Sequence, residues 1–147
     1  AQPRVSILGD KPITAFQKGT LSKGLMNSFF TVTNNSDTSW QDPVLITEQH
    51  ENVHDTFLFA RPDGNIDAYY VHPIGNWRGF SLFRRCINQD LTLGQPELLV
   101  EKEIGSLVAP NVFETPQGVM VLFVEQLSGY NPYILPVKGY ANCQSPS

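Results

Sequence analysis

A chain of 147 residues fits one domain, large enough to bury a real core and too short for two ordinary ones. With 10 basic against 14 acidic residues, a net charge of −4 and only one adjacent basic pair, Arg84-Arg85, it lacks the clustered cations a phosphate backbone requires. No apolar run approaches the roughly 18 residues of a membrane-spanning helix, so neither nucleic acid nor a membrane span is expected.

In chain order the predicted elements are strands: 5–8, 12–16, 28–33, 43–47, 56–60, 65–71, 80–86, 96–101, 111–114 and 119–126. Each is short and rich in β-branched or aromatic residues, and each is bounded by turn chemistry such as GDKP, NNSD, RPDG, LGQP and TPQG. No window sustains the i, i+3, i+4, i+7 apolar stripe of a helix, and 11 prolines with 11 glycines would break most helices. The chain reads as all-β.

A self-similarity organises these strands. NSDTSWQDPVLITE (35–48) returns without a gap as NQDLTLGQPELLVE (88–101), an offset of 53 that also carries Ile13-Thr14-Ala15-Phe16 onto Ile66-Asp67-Ala68-Tyr69. A third copy begins where FARPDGNIDAYY (59–70) meets FETPQGVMVLFV (113–124) at an offset of 54. The units span about 5–52, 53–105 and 106–140, with about four strands in a full copy. Such units are blade-like, since a small antiparallel sheet must cover both faces with neighbours. The repeated Asp is expected in the turn before the fourth strand, accepting turn N–H groups, with Pro43 or Pro96 opening that strand. Trp40 reads as core because its repeat partner is the apolar Leu93.

NNSDTSWQDPVLI resembles a degraded Asp-box of the sialidase/BNR-repeat propellers, lacking its glycine, and NQDLTLGQP with APNVFETPQGVMVLF resembles the five-bladed glycoside-hydrolase propellers. The resemblance implies a β-propeller, and three units imply that a partner copy or the remainder of a longer propeller completes it. A β-trefoil and a two-sheet sandwich stay open as alternatives.

The resemblance also directs attention to sugars. A glycosidase needs two carboxyl groups about 5–9 Å apart, and Asp55, Asp67 and Glu125 are acids embedded in apolar strands. Sugar binding without chemistry asks for an aromatic face beside hydrogen-bonding side chains. Tyr70, His72, Asn76, Trp77 and Arg78 concentrate these around one loop. A lectin-like module, a glycoside hydrolase and a structural or protein-binding repeat are therefore the function classes in play. No cofactor or metal is expected, since His50, His54 and His72 are scattered.

Cys86 and Cys143, far apart and outside any CxxC, leave a disulfide or two buried thiols open. A bridge would anchor the polar tail YANCQSPS, which has little apolar surface of its own. The start AQPRVSIL, without Met, reads like the processed N-terminus of a secreted protein, though a trimmed chain would start the same way; Asn34 opens an Asn-x-Ser sequon, a triplet that often arises by chance.

Overall fold

A computed structural model describes residues 4–19, 26–34, 39–47, 53–74, 78–126 and 129–145. These form β-strands joined by turns, in three antiparallel sheets. The first sheet holds β1 (Arg4–Leu8), β2 (Lys11–Gly19), β3 (Met26–Val32) and β4 (Val44–Leu45). The second holds β5 (His54–Ala60), β6 (Ile66–Ile74), β7 (Gly79–Ile87) and β8 (Glu97–Lys102). The third holds β9 (Ser106–Thr115), β10 (Gly118–Gln126) and β11 (Tyr130–Val137). In every sheet each strand pairs with the one before it in sequence.

The strand β11 departs from the expectation. Its segment YNPYILPV carries two prolines, which demote a strand in sequence reading because each removes a ladder donor. Pro132 and Pro136 are tolerated because β11 is the edge of its sheet, paired only with β10.

The sheets stack in sequence order with their first strands close together: β5 lies against β1, β2 and β3, and β9 against β5, β6 and β7. Two cores result. Ile13, Ala15, Phe30 and Val32 of the first sheet meet Leu58, Ile66, Ala68 and Tyr70 of the second. On the other face of the second sheet, Phe59, Tyr69, Val71 and Leu82 meet Val112, Val121 and Phe123 of the third. The middle sheet is thus covered on both sides.

The three sheets carry comparable aromatic pairs, in a register that differs from the sequence echo. Stacked aromatic pairs bridge the second and third strands of each sheet: Phe16–Phe29, Tyr70–Phe83 and Phe123–Tyr133. They equate Phe16 with Tyr70 and Tyr70 with Phe123, offsets of 54 and 53, where the sequence echo gives 53 and 54. Each echo is out by one residue in these strands, and a one-residue slip exchanges the two faces of a sheet.

The turn before the fourth strand is built as its chemistry suggests. The Asp90 carboxylate accepts the Thr92 hydroxyl at 2.6 Å and the Thr92 N–H at 3.0 Å, and these bonds hold its pKa below the ordinary carboxylate value. Leu93 then bridges to Ile87 and packs into the first core. Trp40 makes the equivalent bridge to Thr33, yet it is 47% exposed and so is not core. Leu93 is covered by the preceding sheet, whereas no described sheet precedes Trp40. The equivalent first-unit turn, with Asp37 and the rest of the sequon after Asn34, lies outside the described residues.

Candidate functional site

The antiparallel pairing sorts the candidate residues to two ends of the sheets. At the end where β5 and β9 begin lie Asp55, His72 at the close of β6, Arg78 just before β7, Lys102 closing β8, and Glu125 near the close of β10. At the opposite end lies Asp67, beside the 61–65 turn and the C-terminal tail. The topology therefore separates Asp67 from the other two acids and leaves Asp55 and Glu125 at one end, on sheets whose first strands adjoin.

The Asp67 end is a clasp. Asp67 is fully buried; its Oδ1 accepts Arg61 Nη1 at 3.0 Å and its Oδ2 accepts the Ala141 N–H at 2.9 Å. Burial raises its pKa, and the Ala141 N–H and Arg61 only partly offset that effect. Arg61 also donates to the Ala141 carbonyl at 2.9 Å and lies over the Tyr140 ring. Arg84 grips Glu97 at 2.8 Å and the carbonyls of Gly139 and Lys138 at 2.9 and 3.1 Å. Burial opposes the charge on Arg84, but its bonds to Glu97 and Tyr69 outweigh that, so its pKa is raised. Cys86 and Cys143 are joined by a disulfide across 57 residues, and Asn88 Nδ2 donates to the Cys143 carbonyl at 2.8 Å. Gly94 lets the tail pass: a Cβ there would stand 2.0 Å from the Asn142 carbonyl oxygen. With both oxygens engaged and no solvent exposure, Asp67 holds the tail and leaves no room for a substrate.

The sugar-binding candidates are dispersed in character. Tyr70 is fully buried against Phe83 in the first core, and burial raises its pKa. It therefore presents no face to a saccharide in this structure. His72 is half-buried and Arg78 is exposed. Asn76 and Trp77 lie outside the described residues, as does the side chain of Asp55.

Sequence reading missed the residues that complete this end. Cross-strand pairing sets Phe123 opposite Tyr133 and Glu125 opposite Asn131, so all four share one face. Tyr133 stacks on Phe123 at 5.9 Å and keeps 46% of its surface exposed. The Lys102 ammonium stands 5.9 Å from the Tyr133 ring centroid and 3.8 Å from Glu125 Oε2. That oxygen is buried and accepts no hydrogen bond among the described residues. Gly79 makes the approach of β7 to the end of β8 possible, since a Cβ would lie 2.0 Å from the Lys102 carbonyl oxygen. The available signal was the run YNPY beside VEQ, obscured by the unrecognised strand β11.

Such a set can stack on an apolar sugar face, donate through Lys102 and Asn131, and accept a hydroxyl at Glu125. Among the described residues no group of three His, Cys, Asp or Glu is placed to hold a metal ion, and no helix is long and apolar enough to cross a membrane. In comparison with known proteins, no family model, curated protein or solved structure matches the chain.

Proposed function

We propose that the chain is a secreted, carbohydrate-recognising module of blade-like, propeller-type units. Its saccharide surface is the end of the sheets formed by Tyr133, Lys102, Glu125 and Asn131. The observation that carries this reading is the Tyr133 ring, 46% exposed, beside the Lys102–Glu125 ion pair. An exposed aromatic ring flanked by charged and amide side chains suits a hydroxylated ligand, with the ring against its C–H face and Lys102 and Asn131 donating to its hydroxyls. Sheets of consecutively paired strands support the blade-like reading and its resemblance to Asp-box and glycoside-hydrolase propellers. The disulfide is compatible with export.

A glycan array tests the proposal. The wild-type chain should bind, and Tyr133→Ala should lose at least tenfold in apparent affinity while keeping the wild-type circular dichroism. Absence of binding across the array, or binding that survives the substitution, would refute it.

Asp55 and Glu125 at one end favour a second reading, hydrolysis by a carboxylate pair. A panel of chromogenic glycosides separates the two: release of sugar that disappears in Glu125→Gln and Asp55→Asn identifies an enzyme, and binding without release identifies a lectin.

A further inference from the structure

Each sheet has a leading face, turned toward the sheet before it in sequence, and a trailing face, turned toward the sheet after it. The first core joins the trailing face of the first sheet to the leading face of the second, and the second core repeats that junction one sheet later. The two junctions are the same in kind: β5 meets β1–β3 as β9 meets β5–β7. Two faces of the same construction stay uncovered in the described structure.

The leading face of the first sheet carries Val5 (71% exposed), Ile7 (49%) and Trp40 (47%) beside the Phe16–Phe29 stack. One sheet later Val5, Trp40 and that stack correspond to Leu58, Leu93 and the Tyr70–Phe83 stack, which pack in the first core, whereas Ile7 corresponds to the exposed Ala60. The trailing face of the third sheet shows Met120, Leu122 and Ile134, the last 61% exposed, with Phe113 at 39%. Their counterparts one sheet earlier, Asp67, Tyr69 and Arg84, are buried, and so is Phe59, the counterpart of Phe113. Contiguous exposed apolar faces are uncommon on a soluble monomer.

We propose that these two faces are one interface: the trailing face of the third sheet receives the leading face of the first sheet of a second copy. This continues a junction the chain already makes twice. The contact is heterologous, head to tail, and therefore either closes or polymerises. Two copies carry six sheets, within the four to eight of closed propellers, whereas three copies would carry nine. The assembly is accordingly a closed pair. The inference rests on the blade-like reading of the sheets and on nothing about saccharides. A monomer that still binds glycans would sink the pair and leave the saccharide site standing.

Sedimentation equilibrium and light scattering on the intact chain at tens of micromolar test it. The expected mass is twice 16.4 kDa. Phe16→Asp on the leading face and Leu122→Asp on the trailing face should each halve it. Mixing the two variants should recover a weaker pair, because one of its two junctions then joins an intact trailing face to an intact leading face while the other carries both substitutions. If either variant loses its circular dichroism, Trp40→Glu and Ile134→Glu take its place at more exposed positions of the same faces. A wild-type monomer overturns the proposal. So does an oligomer larger than two, a pair indifferent to Phe16→Asp, or a mixture of variants that stays monomeric.

Discussion

The middle sheet and its two neighbours are made of similar strands, yet they differ in how they meet water. In β6, IDAYYVHPI, the six residues Ile66–Val71 are all buried, whereas in β10, GVMVLFVEQ, buried and half-buried positions alternate from Gly118 to Val124. An antiparallel sheet with one open face normally alternates apolar and polar residues, and one covered on both faces does not need to. The outer sheets do not follow that rule, for their open faces carry Val5, Ile7, Leu122 and Ile134. Burial therefore tracks position in the stack more closely than hydrophobicity does.

Four measurements break or sharpen this contrast. The largest effect is expected from the covalent tie that only the middle sheet makes to the tail. Replacing Cys86 and Cys143 together by Ser opens a 57-residue loop and should cost about 4 kcal/mol by chain entropy, read as a lower urea midpoint. An unchanged midpoint would show that the side-chain clasp suffices without the bridge.

Next comes packing. Leu82→Ala, at a fully buried position of the middle sheet, should destabilise by about 3 kcal/mol, within the ordinary range for a core leucine. A cost below about 1 kcal/mol would place the second core elsewhere.

Arg61→Gln should cost about 2 kcal/mol at neutral pH, less than a fully buried pair because Arg61 keeps 10% exposure and Asp67 retains the Ala141 N–H. Its pH dependence carries a definite sign. The Asp67 pKa is raised by burial in the fold, so its favourable contribution is complete below the ordinary carboxylate pKa and is lost as pH rises through the folded value. Removing Arg61 raises that folded value further. The gap between variant and wild type should therefore widen as pH rises from about 4 toward 7, and urea titrations at both ends decide it. A gap that narrows instead would mean that Asp67 is not the partner that matters.

The smallest effect is reserved for an outer face. Val5→Ala should change the stability of the isolated chain by no more than about 0.5 kcal/mol, measured at a concentration where only single chains are present. A loss as large as that of Leu82→Ala would show that the leading face is covered from within the chain.

The class of fold was legible because strand chemistry is local. Ten apolar segments bounded by turn residues correspond to β1–β10, and the Asp90 turn follows from an Asp two residues before a Thr. What escaped was set by partners distant in sequence. The prolines of β11 are acceptable only at an edge, which sequence does not mark. Trp40 and Leu93 look alike as repeat partners, and only the presence or absence of a preceding sheet separates their burial. Asp67 in an apolar strand resembles a catalytic acid until Arg61 and the Ala141 N–H, 74 residues away, are brought to it. For Cys86 and Cys143, spacing left two states open, and the geometry joins them. At the candidate site, Glu125 was visible as an acid among apolar residues, while Tyr133 and Lys102 reach it only through strand pairing and sheet stacking.

The disulfide also changes what a cut in the backbone can do. Everything from Cys86 to Cys143 forms a covalent circle that holds β8, the whole third sheet and the start of the tail. A protease that nicks one exposed turn within it, such as the one around Ile104, opens the circle without releasing a fragment. The nicked protein migrates as one species on a non-reducing gel and separates into two only when a thiol reductant is added. In a protease-rich extracellular setting, a single cleavage there would interrupt the sequence while the two pieces remained one molecule.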